Sequence, residues 1–487
     1  MKKREFLKKS AILASSTALM PSFLLACKEE QQLAKVTPLT RLRTAHVGVG
    51  NMGAADLNDI SSHAKVDVTA LCDVDATNLA EAKKLHPNAK TFSDYRVMLK
   101  EMGDEIDAVV VSTPDHTHAP VSMMAMEMNK SVYCQKPLTH YVSEARAMKK
   151  LAEEKGLVTQ MGIQVHSFYD YKLATLLIQS GIIGKVHTVR AWSPKNWGYD
   201  GPVPSGEDTV PETLDWNLWL GTSAERPYKE GIYHPGNWRK LVDYGCGTLG
   251  DMGVHIFDTP YNALALDVPR TIKTECREPN GFGFPENNVV TYEFPGTPYT
   301  ADSLKWIWSD GPGAPEMHED LKLPGANEIA TTAKGTVTKE ASVEDKMSLE
   351  TKVSGPGTLP EQGAMFIGDK GRLLLPHFMQ LPTKIVDGKY VDISKEIEAV
   401  SKANNMGNPI RDYASEGPKH YHQFVDACLG TDECSAPFSY ASKLTETILL
   451  GVIANRFPNQ TLNWDSKNAK FAEEEANQFL EGDYRDF

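Results

Sequence analysis

A chain of 487 residues, 41% hydrophobic and 24% charged, is long enough for two domains with sizeable cores. Its net charge of −13 argues against nucleic acid and against anionic membrane surfaces as partners. Composition sets no further limit on function.

The first 27 residues read as a leader and not as fold. Lys2, Lys3, Arg4, Lys8 and Lys9 precede an apolar run from Ala11 to Ala26 that is too short for a spanning helix. Leu24-Leu25-Ala26-Cys27 resembles a lipobox, so cleavage before Cys27 and acylation of its thiol are expected. An ordinary signal peptide that happens to contain a cysteine is the alternative. The protein is then exported to the periplasm or cell envelope and meets a membrane only through a lipid on Cys27. Lys3-Arg4-Glu5-Phe6-Leu7-Lys8 resembles the twin-arginine export signal, with a lysine where the first arginine should stand. Residues 28–43 form a polar linker.

From 44 to 164 strands and helices alternate. Strands are expected at 44–49, 66–72, 107–112, 131–134 and 158–161, with helices at about 51–61, 76–86, 94–102, 117–128 and 141–155. Such spacing predicts a parallel, doubly wound sheet. The first strand runs into Gly48-x-Gly50-x-x-Gly53. The first glycine permits the tight turn, the second lets backbone approach a pyrophosphate, and the third lets the next helix pack close to the sheet. Asp73 ends the second strand 20 residues after Gly53, where an acid accepts from an adenosine ribose. The adjacent Val74 and Asp75 bring no cation for a 2′-phosphate, which favours NAD over NADP.

Beyond 165 the texture changes. A helix over 168–180 is followed by strand-like runs at 186–192, 271–275, 288–294, 304–308, 364–367 and 372–375. They predict a mostly antiparallel open sheet, hence an α+β domain over 165–487. Residues 311–361 read as a surface excursion, helices return at 417–429 and 438–455, and the last 25 residues are expected to wrap the surface. His420 and His422 are expected on the surface at a helix start. Cys72 and Cys134 are expected as buried thiols, and Cys428 and Cys434 are close enough to pair. No C-x-x-C pair or other ligand spacing points to a metal.

Lys136 follows a strand and precedes Pro137, which fixes the backbone there. Its ammonium suits a developing alkoxide. In Asp251-Met-Gly-Val-His255 a helical spacing of four puts carboxylate and imidazole on one face, where the acid would orient the ring and raise its basicity. The packing alternatives are an exposed turn lysine, a helix-start acid and a core histidine. Trp192, Trp197, Trp216, Trp219 and Trp238 crowd one stretch. Trp216 and Trp219 suit a core, whereas Trp197 and Trp238 suit stacking on a sugar ring.

These segments together resemble the Gfo/Idh/MocA family, named for glucose–fructose oxidoreductase and inositol dehydrogenase. The carriers are the glycine turn, Asp73, Ser112-Thr113-Pro114-Asp115-His116-Thr117-His118, Cys134-Gln135-Lys136-Pro137-Leu138 and Gly247 to Asp258. The resemblance implies an N-terminal Rossmann domain, a C-terminal open-sheet domain, and hydride transfer between NAD(P) and a sugar or polyol carbon. The catalytic trio maps onto Lys136, Asp251 and His255. Gly48, Gly50, Asn51, Met52, Gly53, Asp73, Thr113, Pro114, His116, His118 and Gln135 are the expected cofactor contacts. Gln164, His166, Trp197, Trp238 and Arg239 are the expected substrate contacts. The family commonly has glutamate where Gln135 stands, and an amide there brings the lysine no negative charge. A homo-dimer or homo-tetramer is expected through the open sheet face. A periplasm holds little free nicotinamide cofactor, so a protein exported already folded would carry its own. Two other readings stay open: redox-neutral cleavage of a glycoside by transient oxidation, and a non-catalytic, lipid-anchored sugar-binding protein.

Overall fold

The computed structural model describes residues 39–325, 357–377, 379–407 and 413–487. The leader, the lipobox with Cys27, most of the linker and most of the 311–361 excursion lie outside the described residues. Among the described residues no helix is long and apolar enough to cross a membrane.

Six parallel strands make the first sheet: β1 (Leu42–Val47), β2 (Val66–Cys72), β3 (Lys90–Phe92), β4 (Ala108–Val111), β5 (Ser131–Gln135) and β6 (Thr159–Gly162). Their order is β3-β2-β1-β4-β5-β6. The strand order reverses between β1 and β4, which opens a crevice at their carboxyl ends. Every residue of β4, Ala-Val-Val-Val, is buried, as befits a strand covered by helices on both faces. β3 escapes a reading by periodicity because it has only three residues, two of them exposed.

The second sheet has ten strands in the order β14-β13-β12-β11-β7-β10-β9-β8-β15-β16. Its centre is β7 (Val186–Ser193), β8 (Thr271–Glu275), β9 (Asn288–Pro295), β10 (Thr300–Asp310), β11 (Gly363–Gly368) and β12 (Gly371–Pro376). All pairings are antiparallel except that between β10 and β7. In β9, Val290, Tyr292 and Phe294 alternate inward and are buried. They pack with Trp306 and Trp308 against the helix Val254–Ala263, where the Phe257 ring stacks on Trp306 at 4.2 Å.

Three parts differ from expectation. β13 (Thr383–Val386) and β14 (Lys389–Val391), both short, extend the far edge, and the helix Ser394–Ala403 follows them. β15 (Thr461–Asp465) and β16 (Lys470–Phe471) extend the other edge, where Leu462 and Trp464 turn inward, so the last 25 residues do not simply wrap the surface. The helix Tyr413–Cys428 crosses back onto the first sheet, where Tyr421, Phe424 and Val425 pack with Val110 and Tyr133. His420 is therefore buried and not on the surface; its Nε2 lies 2.8 Å from the Met161 carbonyl oxygen and its Nδ1 2.8 Å from Ser167 Oγ. Cys72 and Cys134 are buried thiols, and Cys428 and Cys434 remain unpaired.

The chain's final run lies across both halves. The Tyr484 hydroxyl donates to Glu144, Arg485 donates to the Gly221 carbonyl, and Arg96 donates to the Phe487 carbonyl. Glu144 is buried and also accepts from the backbone of His140 and Tyr141. Burial pushes its pKa from 4.5 up to about 7. The folded chain therefore keeps this proton over a range where the unfolded chain releases it. The group's contribution is complete below pH 4.5 and is lost as pH rises through 7. Glu144→Gln should lose less stability than the parent between pH 5 and 8, by about 3 kcal/mol. Denaturant melts at both pH values check this; equal slopes would mean that Glu144 is ionised throughout.

Candidate active site

The glycine turn sits at the carboxyl end of β1. Gly48 has φ +80°, and a Cβ there would lie 2.6 Å from the Ser112 carbonyl oxygen. A Cβ on Gly53 would lie 2.1 Å from the Gly48 carbonyl oxygen, so this glycine lets the helix Met52–Ser61 close against the strand. The start of that helix carries no side-chain cap, which leaves backbone amides for an anion. A Cβ on Gly50 would instead meet the Asn78 side chain at 2.4 Å. Asp73 accepts from the backbone of Val49 and of Asp75, each at 2.8 Å. Burial raises its pKa while these amides pull it down. A backbone cradle, an uncapped helix start and a pre-positioned acid fit a dinucleotide.

Beside the turn lies a cleft of about 370 Å³. Gly48, Gly50, Asn51, Met52, Asp73, Thr113, Pro114, His118, Gln135 and Lys136 line it from the first half, and Trp238, Arg239, Asp251 and His255 line it from the second. Lys136 leaves the end of β5 and its ammonium donates to Asp251 Oδ1 and to the Asp251 carbonyl, both at 3.1 Å. Gln135 donates to both oxygens of Asp56 and accepts from the Lys136 amide. Asp56 also accepts from Ser112 and Tyr421, and burial pushes its pKa up to about 6. His118 lies between the carbonyl oxygens of Thr113 and Pro137, at 2.8 Å from each.

The expected pairing of Asp251 with His255 is corrected by the structure. Residues Leu249–Gly253 form a π-helical turn, so a spacing of four does not stack the two side chains as an α-helix would. Asp251 faces cations instead: Lys136 at 3.1 Å, Lys195 at 3.0 Å and Arg239 at 3.3 Å, with the Trp197 indole donating to Oδ2. Burial works to raise the Asp251 pKa, but these three cations hold it well below the usual range. His255 Nδ1 is buried and has no hydrogen-bond partner among the described residues. Burial, then Lys136 and His377, push the imidazole well below its ordinary pKa, and Asp251 opposes them without prevailing. The ring is therefore neutral near pH 7, and its basicity is lowered, not raised.

Some expected contacts lie away from the cleft wall. Gly53 is packed inside its own turn. His116 sits with its Nε2 3.1 Å from the Trp219 carbonyl and its ring against Tyr244. Gln164 is buried and donates to the Tyr421 hydroxyl, while His166 pairs with Asp258 at 2.9 Å. Trp197 stands behind the cleft wall and reaches it through Asp251. Trp216 and Trp219 stack at 4.7 Å within an aromatic cluster, and Trp219 also reaches the cleft wall. Sequence reasoning missed Lys195, His377 and Asp115, which also line the cleft. Lys195 and His377 each follow a strand of the second sheet closely, which was the available signal. Asp115 stood inside a quoted motif without a role; burial pushes its pKa up to about 7.

Residues 42–163 match the family described as "Oxidoreductase family, NAD-binding Rossmann fold", and residues 171–281 match its "C-terminal alpha/beta domain". Both segments thus match the Gfo/Idh/MocA oxidoreductase family. The chain is similar to levoglucosan dehydrogenase of Pseudarthrobacter phenanthrenivorans, 25% identical over 179 residues, 37% of this chain and 38% of that one. It is also similar to inositol 2-dehydrogenase of Salmonella typhimurium, 26% identical over 147 residues, 30% of this chain and 43% of the relative. The chain thus spans less than half the length of either relative. A solved levoglucosan dehydrogenase, in complex with NADH and L-sorbose, superposes with a TM-score of 0.55 at 15% identity, covering 87% of this chain and 99% of that one. That likeness bears on the fold.

The two tight glycines should respond differently to alanine. In Gly50→Ala the new methyl meets a side chain that can move, so the melting temperature should hold while the Kd for NADH rises roughly tenfold or more. In Gly53→Ala it meets backbone, so the melting temperature itself should fall. Thermal melts and NADH fluorescence titration check both; unchanged NADH affinity in Gly50→Ala would remove the dinucleotide from this turn.

Proposed function

We propose that this protein oxidises a hydroxyl carbon of a sugar or polyol, with NAD as the hydride acceptor and Lys136, Asp251 and His255 as catalytic residues. One observation carries this reading. An ammonium from the end of β5 and a carboxylate and imidazole from the second half converge on the cleft that also holds the glycine turn and Asp73. When bound, NAD supplies the hydride acceptor. His255, kept neutral by its surroundings, takes the hydroxyl proton. Lys136 donates to the oxygen as negative charge grows there. Asp251 holds the Lys136 ammonium in place and offsets part of the local positive charge. Trp238 and Arg239, whose guanidinium lies 4.3 Å from the Trp238 ring, form the wall for the sugar. Asp73 takes the ribose hydroxyls, and the neighbouring Asp75 disfavours a 2′-phosphate, so NAD is used in preference to NADP. The named activities of the two curated relatives support a sugar or polyol substrate. Export and acylation at Cys27 belong to the same proposal, and mass spectrometry of the mature N-terminus reads them.

Purified protein given NAD with levoglucosan or myo-inositol should accumulate NADH. In His255→Asn and Lys136→Met, kcat should fall by about 10²- to 10⁴-fold while the Kd for NADH stays within about threefold of the parent. Full activity in both variants would end this assignment. A glycoside cleaved with no NADH released would end the net dehydrogenase reading.

A further inference from the structure

We infer that the sugar taken by this cleft is acidic, and that its carboxylate or phosphate is met by Lys195 and Arg239. The inference rests on the dehydrogenase reading of the site and names the substrate class. Three cations surround one carboxylate: Lys136 and Arg239 at Asp251 Oδ1, and Lys195 at Oδ2. None of the four side chains is more than 16% exposed. The Trp197 indole lies among the same cations, with Lys195 at 5.2 Å and Arg239 at 5.6 Å from its ring, and Lys240 beyond them at 5.9 Å.

Asp251 offsets one of the three cations and leaves a surplus in a sheltered space. Uncompensated charge removed from water is costly, so a surplus of this kind is a poor device for stability. Asp115 also lines the cleft, but burial pushes its pKa up to about 7 against the pull of Arg239 and Lys136, so near pH 7 it offsets only part of one more charge and the surplus remains. His255 and His377 are neutral and add nothing. A dinucleotide pyrophosphate does not account for the surplus either. The glycine turn ends β1, Lys136 follows β5, and β4 lies between, which separates the two by roughly 10 Å. One ammonium suffices to stabilise a developing alkoxide, and Lys136 provides it. Lys195 and Arg239 therefore remain for a permanent charge. Arg239 commits Nε to Asp251 and Nη1 weakly to the Gly236 carbonyl, and its Nη2 donates to none of the described residues. A guanidinium edge left in this state suits a planar oxyanion.

The test is binding, read separately from turnover. Calorimetric titration of the NADH-loaded protein uses D-glucose, D-glucuronate, D-gluconate and D-glucose 6-phosphate. At least one acidic probe should bind roughly tenfold or more tighter than D-glucose, with a preference that shrinks as salt rises. The two carboxylates against the phosphate ester identify the source of the anion. Lys195→Gln should reduce the preference about fivefold or more, and Lys195→Arg should restore most of it. D-glucose binding as tightly as every acid, no acid binding at all, or a preference untouched in both Lys195→Gln and Arg239→Gln would each overturn the inference. NADH formed from a neutral polyol with no acid preference would remove this inference and leave the dehydrogenase standing. Acid binding with no NADH formed from any probe would do the reverse.

Discussion

The contact between Lys136 and Asp251 is the constraint on which the rest of this molecule depends. It joins the end of a parallel strand in one half to a π-helical turn in the other, with both side chains about one-tenth exposed. A pair so nearly withdrawn from water is weak support for stability, because desolvation offsets most of the attraction. Its value is in placement. The ammonium is held by a side-chain oxygen and a carbonyl of the same residue, which fixes its direction as well as its distance. Remove the pair and the two halves still have their cores, but the cleft between them loses its registration.

A second layer supports that contact from below. Asp56 is buried and accepts from Ser112 after β4, from Gln135 at the end of β5, and from Tyr421 in the late helix. Three distant segments thus meet on one carboxyl group beneath the cleft. The amide at Gln135 gains a reason in this setting. A glutamate there would set a second acid against Asp56, whereas the amide donates to both of its oxygens and still accepts from the Lys136 backbone. Satisfied polar groups of this kind specify one arrangement among several that apolar packing alone would allow.

Much of the architecture was legible in the chain. The alternation of strand and helix from β1 to β6, the glycine turn and Asp73 follow from local spacing, and local spacing is what periodicity reads. The alternation in β9 and β10 shows through for the same reason. What was not legible depends on contacts between distant segments or on a departure from regular helix. The π-turn moved Asp251 off the face it would share with His255 in an α-helix, and local spacing does not signal such a turn. His420 looked like a surface group because its helix seemed peripheral, yet that helix covers the first sheet. Gln164 donates to Tyr421 of that helix, His166 is held by Asp258, and neither lines the cleft. Lys195 and His377 come from the second sheet, whose strands are read easily but whose ends are not aimed by anything local.

The run from Leu480 to Phe487 has a mechanical consequence. Leu480 accepts from Ser143, Tyr484 is held at Glu144, and Arg485 grips the short helix Trp216–Leu220 of the other half at Asn217 and at its cap Gly221. A run fastened at both sides acts as a tie bar between the two halves. Moving the two halves apart would therefore have to break these contacts as well as those that line the cleft.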